Sequence, residues 1–397
     1  MEAISNPITD KDNQRKDNFS ANNSPIKKRI DKKCDITMEK NEFVVSMNSR
    51  VYRLVKYLGK GGYGEVYECV SETTKKIYAL KRENVLRTKI PKEIEVLKRA
   101  NECDCKQICK YVDDGRQDDY VFVVMTLLGK DLSKLRHETK TKNFSVNTSI
   151  RIGLLTLSAI RELHEISVIS RDIKPSNFAL GINKERRNIY IFDFGLSRFY
   201  RNQDGSILPT QHHSIFRGTT RYASLRAHQK LELGRRDDLE SWLYVMVELS
   251  SGTLPWRTPK KMKEKKSQLK EQVYRAKLRI RFGDERKKFF RNSLPILDYI
   301  FMMIDGLGFE ANPPYEQIQY MFEKLMLEAN VKWDDIYDWE ETRTMLSKQT
   351  IFTDGATSTS AAMATYSRSR SVLLHVGTTT PTASTESSSL LPNVYIE

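Results

Sequence analysis

The segment SRDIKPSN, residues 170–177, puts one acid, two bases, a proline and an amide within eight positions, and it follows closely on the chain's most regular apolar stretch. Across residues 147–165, Ile150, Ile152, Leu154, Leu155, Leu157, Ile160 and Leu163 recur at helical spacing on more than one face. That pattern predicts a core helix. After the loop comes a short hairpin and then IYIFDFGLSRF, in which the apolar strand residues end at Asp193. A chain with this order must run from a buried helix through a polar loop to a strand end. Asp172, Lys174, Asn177 and Asp193 therefore fall on loops or strand ends, where they can converge. Each of them alone also reads as an ordinary turn residue.

Upstream, YRLVKYLGKGGYGEVYECV reads as two strands, with Tyr52 and Leu54 on the first, Val66 and Tyr67 on the second, and Gly59, Gly61 and Gly64 in the turn between them. Glycines in such a turn let backbone N–H groups approach a triphosphate. A dinucleotide-binding reading requires a helix directly after the third glycine, and here a strand follows. The next strand, in KKIYALKRE, sets Lys81 beside Ala79 and Leu80. The amphipathic helix predicted in PKEIEVLKRA places Glu93, or alternatively Glu95, on a face that can meet a strand lysine.

Composition bounds the class. Of 397 residues, 39% are apolar, enough for a globular body of two lobes. The longest apolar run, residues 120–129, is far below the ~20 residues that a membrane span needs, so the expectation is a soluble, intracellular protein. Five cysteines, three of them at Cys103, Cys105 and Cys109, suit neither a disulfide framework nor zinc spacing and read as reduced thiols. Residues 1–48 and 346–397 lack apolar periodicity and read as disordered tails, the second rich in Ser and Thr. KKRIDKK, residues 27–33, is a candidate nuclear-entry signal beside a cytoplasmic default. Nearly all of the +15 net charge belongs to the body, which implies acidic partners such as phosphate chains or acidic proteins.

The ordered set of glycine hairpin, Lys81, Glu93, RDIKPSN and DFG resembles a eukaryotic-type protein kinase over roughly residues 50–345. GTTRYAS, residues 218–224, followed by GRRDDLESWLYVMVELSSGTLPWR, residues 234–257, stands where most kinases carry Ala-Pro-Glu. This narrows the resemblance to the casein kinase 1 superfamily. RDIKPSNFAL, FRGTTRYAS, His228 in RAHQK and LPWR look most like its tau-tubulin kinase branch, in a divergent, nematode-type form.

The resemblance implies a bilobal α+β fold, with a small β-rich lobe at residues 49–128 and a mainly helical lobe at 129–345. It implies a Ser/Thr kinase using ATP and Mg2+, acting as a monomer on acidic or already phosphorylated proteins, with no membrane or nucleic-acid partner. Asp172 would orient the substrate hydroxyl and take its proton, with Lys174 facing the γ-phosphate and Thr219 bonding the loop. Asp238 would brace that loop from the next helix. Asn177 and Asp193 would hold Mg2+. Gly59, Gly61, Gly64, Val66, Ala79, Lys81, Glu93, Met125 and Leu128 would line the nucleotide site. Arg217, Arg221, Lys260 and Lys261 would form an anion site for the substrate. Ser170 departs from the histidine that usually precedes Arg-Asp, and a smaller side chain there predicts slack beneath Phe194. The competing classes are a pseudokinase scaffold that binds ATP without efficient transfer, and a basic nucleic-acid-binding module, for which no recognition motif is present.

Overall fold

Period-two alternation as far as residue 125 and helical periodicity after it sort into two lobes in the computed structural model, which describes residues 42–340 apart from 62, 63, 203, 210–214 and 257–265. These residues fall within the unit Met1–Thr344; the second unit, Met345–Glu397, lies outside the described residues. So do Lys260, Lys261, the basic run at 27–33 and most of both expected tails.

The smaller lobe is one antiparallel sheet with a single helix against it. Its strands are β1 (Phe43–Val45), β2 (Val51–Lys60), β3 (Gly64–Ser71), β4 (Ile77–Asn84), β5 (Tyr111–Gln117) and β6 (Tyr120–Met125), in the order β1-β2-β3-β4-β6-β5. Helix α1 (Ile90–Glu102) lies between β4 and β5 in the chain. Alternation decides which face each residue serves. Leu80, Phe122 and Val124 join a small apolar cluster with Tyr52 and Leu54, whereas Ala79, Val123 and Met125 pack into the large core that also takes Val96 and Leu97 of α1. Lys81 shares the side of Ala79 and so faces the helix. The sheet starts earlier than the expected boundary at residue 49. Phe43, Val44 and Val45 pair with Arg53, Tyr52 and Val51, and Val44 is fully buried. Three apolar residues inside a polar stretch are too short a pattern to read as a strand; the open edge of β2 supplies their partners.

The larger lobe holds α2 (Leu132–Glu138), α3 (Val146–Glu165), the short strands β7 (Val168–Ile169), β8 (Phe178–Leu180), β9 (Ile189–Ile191) and β10 (Arg198–Phe199), and the helices α4 (Leu225–His228), α5 (Arg235–Ser251), α6 (Lys266–Arg279), α7 (Gly283–Phe290), α8 (Leu297–Asp305) and α9 (Tyr315–Glu328). Helix α3 is the predicted core helix, and α5 is buried along almost its whole length. Their contact is fixed by Trp242, whose indole N–H donates to the Thr156 hydroxyl at 2.8 Å while the ring is withdrawn from water. Burial of a ring that size contributes on the order of 4 kcal/mol. No described helix is long and apolar enough to cross a membrane.

The four short strands position the chemistry. β7 pairs with β10, and β8 pairs with β9, both antiparallel. The loop 170–177 runs from β7 to β8, and the segment 192–197 runs from β9 to β10. Both are therefore clamped at each end by the same two ladders, which forces Asp172 and Asp193 into one neighbourhood.

Candidate active site

On β4, Lys81 projects toward α1 because Val66 and Val123 flank it in the ladder and fix its register. Its Nζ donates to Glu93 Oε2 at 2.7 Å and to Asp193 Oδ1 at 3.0 Å, and it lies 3.6 Å from Glu83 Oε1. Glu93, not Glu95, is the helix partner, and it is buried. Burial pulls the Lys81 ammonium down, but the carboxylates of Glu93, Asp193 and Glu83 outweigh it and hold the group above the ordinary lysine range. Burial likewise lifts the Glu93 carboxyl against the pull of Lys81. Asp193 goes the other way: burial opposes its charge, yet Lys81 and then Lys174 keep it below the usual carboxylate range.

Glu83 escapes a reading based on motifs, although period two puts it on the face of Lys81. One of its oxygens accepts from the Lys89 amide at 2.5 Å and from the Thr88 hydroxyl at 3.1 Å. The residues that lead into α1 are thereby docked on the strand that carries Lys81. Gly64 is required for the same strand pairing. A Cβ there would sit 2.0 Å from the Arg82 carbonyl oxygen. The turn is closed by the Gly61 amide donating to the Gly64 carbonyl at 2.8 Å; residues 62 and 63 at its tip are outside the described residues. Ala79 and Met125 are ladder partners at the inner end of the sheet, and Leu128, partly buried against the main core, lies in the stretch 126–128 that follows β6.

Asp172 is buried, with one carboxylate oxygen accepting from the Thr219 hydroxyl at 2.8 Å and the other from the Lys174 ammonium. Asn177 donates its amide N–H to the Asp172 carbonyl at 3.0 Å, which leaves Asn177 Oδ1 as an acceptor. The Phe192 amide bonds the Asn177 carbonyl at 3.1 Å, so Asp193 follows directly on a residue tied to Asn177. Asn177 Oδ1 and the ionised Asp193 carboxylate, whose side chain is 41% exposed, make a pair of hard oxygen donors suited to Mg2+. Among the described residues no three His, Cys, Asp or Glu converge as a metal site. An ion at Asn177 and Asp193 would therefore complete its shell with phosphate oxygens and water.

The loop is held mainly through its backbone. Asp238, at the start of α5, accepts from the Ser170 amide at 2.6 Å and the Arg171 amide at 2.9 Å, and it shares its carboxylate with His164 Nε2 at 3.0 Å. This is the brace the sequence predicts. His164 is not anticipated; it lies at the end of α3, where its spacing from Leu157 and Ile160 continues the apolar face. Asp238 binds both amides, and the Ser170 hydroxyl accepts from the Asp172 amide at 3.4 Å. Phe194, beneath which a smaller residue 170 is expected to leave slack, is itself withdrawn from water. Arg171 and Asp193 both adopt positive φ, 61° and 68°, a strained backbone held by these contacts. Gly218 must be glycine: its φ is +89°, and a Cβ would lie 2.5 Å from the Arg171 carbonyl.

Of the anticipated anion site, Arg217 and Arg221 are described, and Lys260 and Lys261 lie outside the described residues. Arg217 lies near Arg171, whose guanidinium is pushed down to about 10 by burial and then by Arg217. Arg221 leans on buried Glu248, 3.6 Å away, with its side chain 35% exposed.

Comparison with known proteins fits this geometry. A family model described as "Protein kinase domain" matches residues 52–307. A Dictyostelium discoideum protein named "Probable serine/threonine-protein kinase" is 32% identical over 292 residues, covering 73% of this chain and 56% of that protein. The chain thus spans little more than half the length of that relative. The Caenorhabditis elegans serine/threonine-protein kinase spe-6 is 28% identical over 300 residues, 75% of this chain and 77% of its own. A protein of Encephalitozoon cuniculi named "Probable casein kinase I homolog" is 32% identical over 285 residues, 69% of this chain and 84% of its own.

Proposed function

Since the chain belongs to the serine/threonine protein kinase family, we propose that it transfers the γ-phosphate of ATP to serine or threonine hydroxyls of protein substrates, with a preference for acidic or already phosphorylated sequences. The observation that carries the reading is Asp172, whose two carboxylate oxygens are engaged by Thr219 and Lys174 in a fold that also pairs Lys81 with Glu93. Asp172 orients the acceptor hydroxyl and takes its proton. Lys174, beside it, offsets charge that develops on the transferred group, and Lys81, fixed by Glu93, grips the other phosphates. When bound, Mg2+ held by Asn177 and Asp193 supplies neutralisation of the phosphate charge. Positioning and electrostatics suffice for a loose transition state of this kind.

Support for acidic or phosphorylated substrates comes from Arg217 and Arg221 on either side of Thr219 and from the body's strong positive charge. The phrases RDIKPSNFAL and FRGTTRYAS favour the tau-tubulin kinase branch within the family.

The test is phosphate incorporation from ATP and Mg2+ into matched acidic, primed and neutral peptides. The full chain should label the acidic or primed set faster, and Asp172→Asn should lose about 10²–10⁴ of the rate. ATP binding by the wild-type chain without transfer to any peptide would instead make it a scaffold.

A further inference from the structure

Helix α6 carries three basic residues in close succession, Arg275, Lys277 and Arg279, and the middle one is completely buried. The reason is spacing: Val273 and Lys277 lie at i and i+4 on one face of the helix, Ile280 just past its end continues that face, and all three are withdrawn from water. Among the described residues Lys277 forms no ion pair; the nearby carboxylate of Glu240 is taken by Arg281 at 2.9 Å. Instead, Lys277 Nζ donates to the carbonyls of Thr220 at 3.0 Å and Ala223 at 2.5 Å, and it lies 3.3 Å from His228 Nε2. The rings of Tyr244 and Trp256 pack around it at 4.9 and 5.3 Å.

Both carbonyls belong to the stretch that follows Thr219, the residue bonded to Asp172. The carbonyl between them, that of Arg221, accepts from the Trp256 indole at 2.8 Å. Three carbonyls in four residues thus have their donors on α6 or on the connection leading to it, rather than in the segment itself. Burying a lysine without a carboxylate opposes stability. Burial indeed pushes Lys277 well below the ordinary lysine range. As ammonium or as amine, Nζ keeps the two N–H bonds that the carbonyls need.

We propose that Lys277 is a positioning residue for phosphoryl transfer: by holding the Thr220 and Ala223 carbonyls it sets the acceptor-facing segment, and with it Thr219, in register with Asp172. This rests on the kinase reading, since the segment borders an acceptor hydroxyl only if transfer occurs. It also gives a physical substitute for the missing Ala-Pro-Glu motif, with a lysine rising from α6 to tie down the segment. ATP contacts lie elsewhere, so the effect falls on the protein substrate.

Two variants separate the bonds from the packing. Lys277→Met keeps apolar bulk and removes both donors, whereas Lys277→Gln restores an N–H2 group. Amide hydrogen exchange across residues 217–224 should accelerate in Lys277→Met, with α5 still protected, and Lys277→Gln should fall between it and wild type. Peptide kcat/KM should drop by about tenfold in Lys277→Met, as expected for two lost hydrogen bonds, mostly through KM and with ATP affinity unchanged. If Lys277→Met does not fold, the intermediate exchange and peptide KM of Lys277→Gln carry the test. Unchanged exchange at 217–224, or equal losses for peptide and ATP, would overturn the inference. If the wild-type chain transfers no phosphate, the kinase reading fails and Lys277 loses its role in transfer, while exchange still reports whether it holds the segment.

Discussion

Two regions of this protein bury a lysine, and they treat it in opposite ways. In the first, Lys81 is 11% exposed and has three carboxylates within 4 Å; in the second, Lys277 is fully buried among carbonyls, rings and an imidazole. The neighbours decide the outcome. Burial favours the uncharged form of both, but only around Lys81 do enough negative groups converge to hold the ammonium above its ordinary range. A lysine that must meet phosphate needs a secured charge, whereas a lysine that anchors backbone needs only its N–H groups. Charge at one site and donor geometry at the other are therefore separate uses of one residue type.

The largest effect that would sharpen this contrast is at Lys81. Lys81→Met removes the group proposed to grip phosphate and leaves Glu83, Glu93 and Asp193 facing one another. Phosphoryl transfer should fall by about 10²–10³. The Glu93 and Asp193 carboxyls, which burial raises and Lys81 lowers, should then titrate higher in the folded state than in the unfolded one. Folding stability conferred by their protonated forms would be present in acid and lost as the pH rises, so the variant should be more destabilised relative to wild type at pH 8 than at pH 5. Thermal melts at the two pH values, with phosphate incorporation on the same samples, check both effects. A variant that transfers phosphate normally would break the assignment of Lys81 to the nucleotide.

How readily each region can be read from sequence follows the same division. Lys81, Asp172, Asn177 and Asp193 stand in short ordered phrases whose chemistry needs those residue types, and the strand ladders bring the phrases together. Lys277 stands in a basic run where Arg275 and Arg279 look equivalent to it, and only the 273, 277, 280 spacing marks it as inward-facing. Glu83 and His164 were legible by period two and by helical period respectively, but neither lies in a phrase that draws attention to it. Ser170 shows the opposite limit. Its departure from the expected histidine is plain in the sequence, but the bond its hydroxyl accepts from the Asp172 amide, at 3.4 Å, is not.

Asp238 provides the intermediate test, because it is a buried charge whose partners are mainly N–H groups. Asp238→Ala strands the Ser170 and Arg171 amides and releases His164, so it should cost about 2–4 kcal/mol of stability. It should also lower kcat with little change in ATP affinity, because the proposed nucleotide site lies on β4 and α1. Denaturant midpoints and single-turnover rates give the two numbers. A loss confined to ATP binding would mean that Asp238 does not serve the catalytic loop.

The smallest expected effect lies one residue earlier, at Asp237, where burial prevails over partners as it does at Lys277 but in a carboxylate. One oxygen accepts from the Gly234 amide at 2.8 Å, and the other is buried without a hydrogen bond. Arg236 is no nearer than 3.8 Å, the Gly234 amide, then Ser224 and Arg226, offset the burial only in part, and Glu240 adds repulsion. Burial therefore pushes the carboxyl up to about 6 from its ordinary 3.8. With the folded value above the unfolded one, the folded state binds more protons between roughly pH 4 and 6, and stability must fall as the pH rises through that window. A shift of that size bounds the loss at about 3 kcal/mol. Asp237→Asn keeps an acceptor for Gly234 and removes the charge, so it should match wild type near pH 4 and be more stable by about 1–2 kcal/mol at pH 7.5. The difference between the two melting curves across that range isolates this group from every other titrating residue. Parallel curves would show that Asp237 is countered in solution after all, and that burial without a sufficient countercharge governs Lys277 alone.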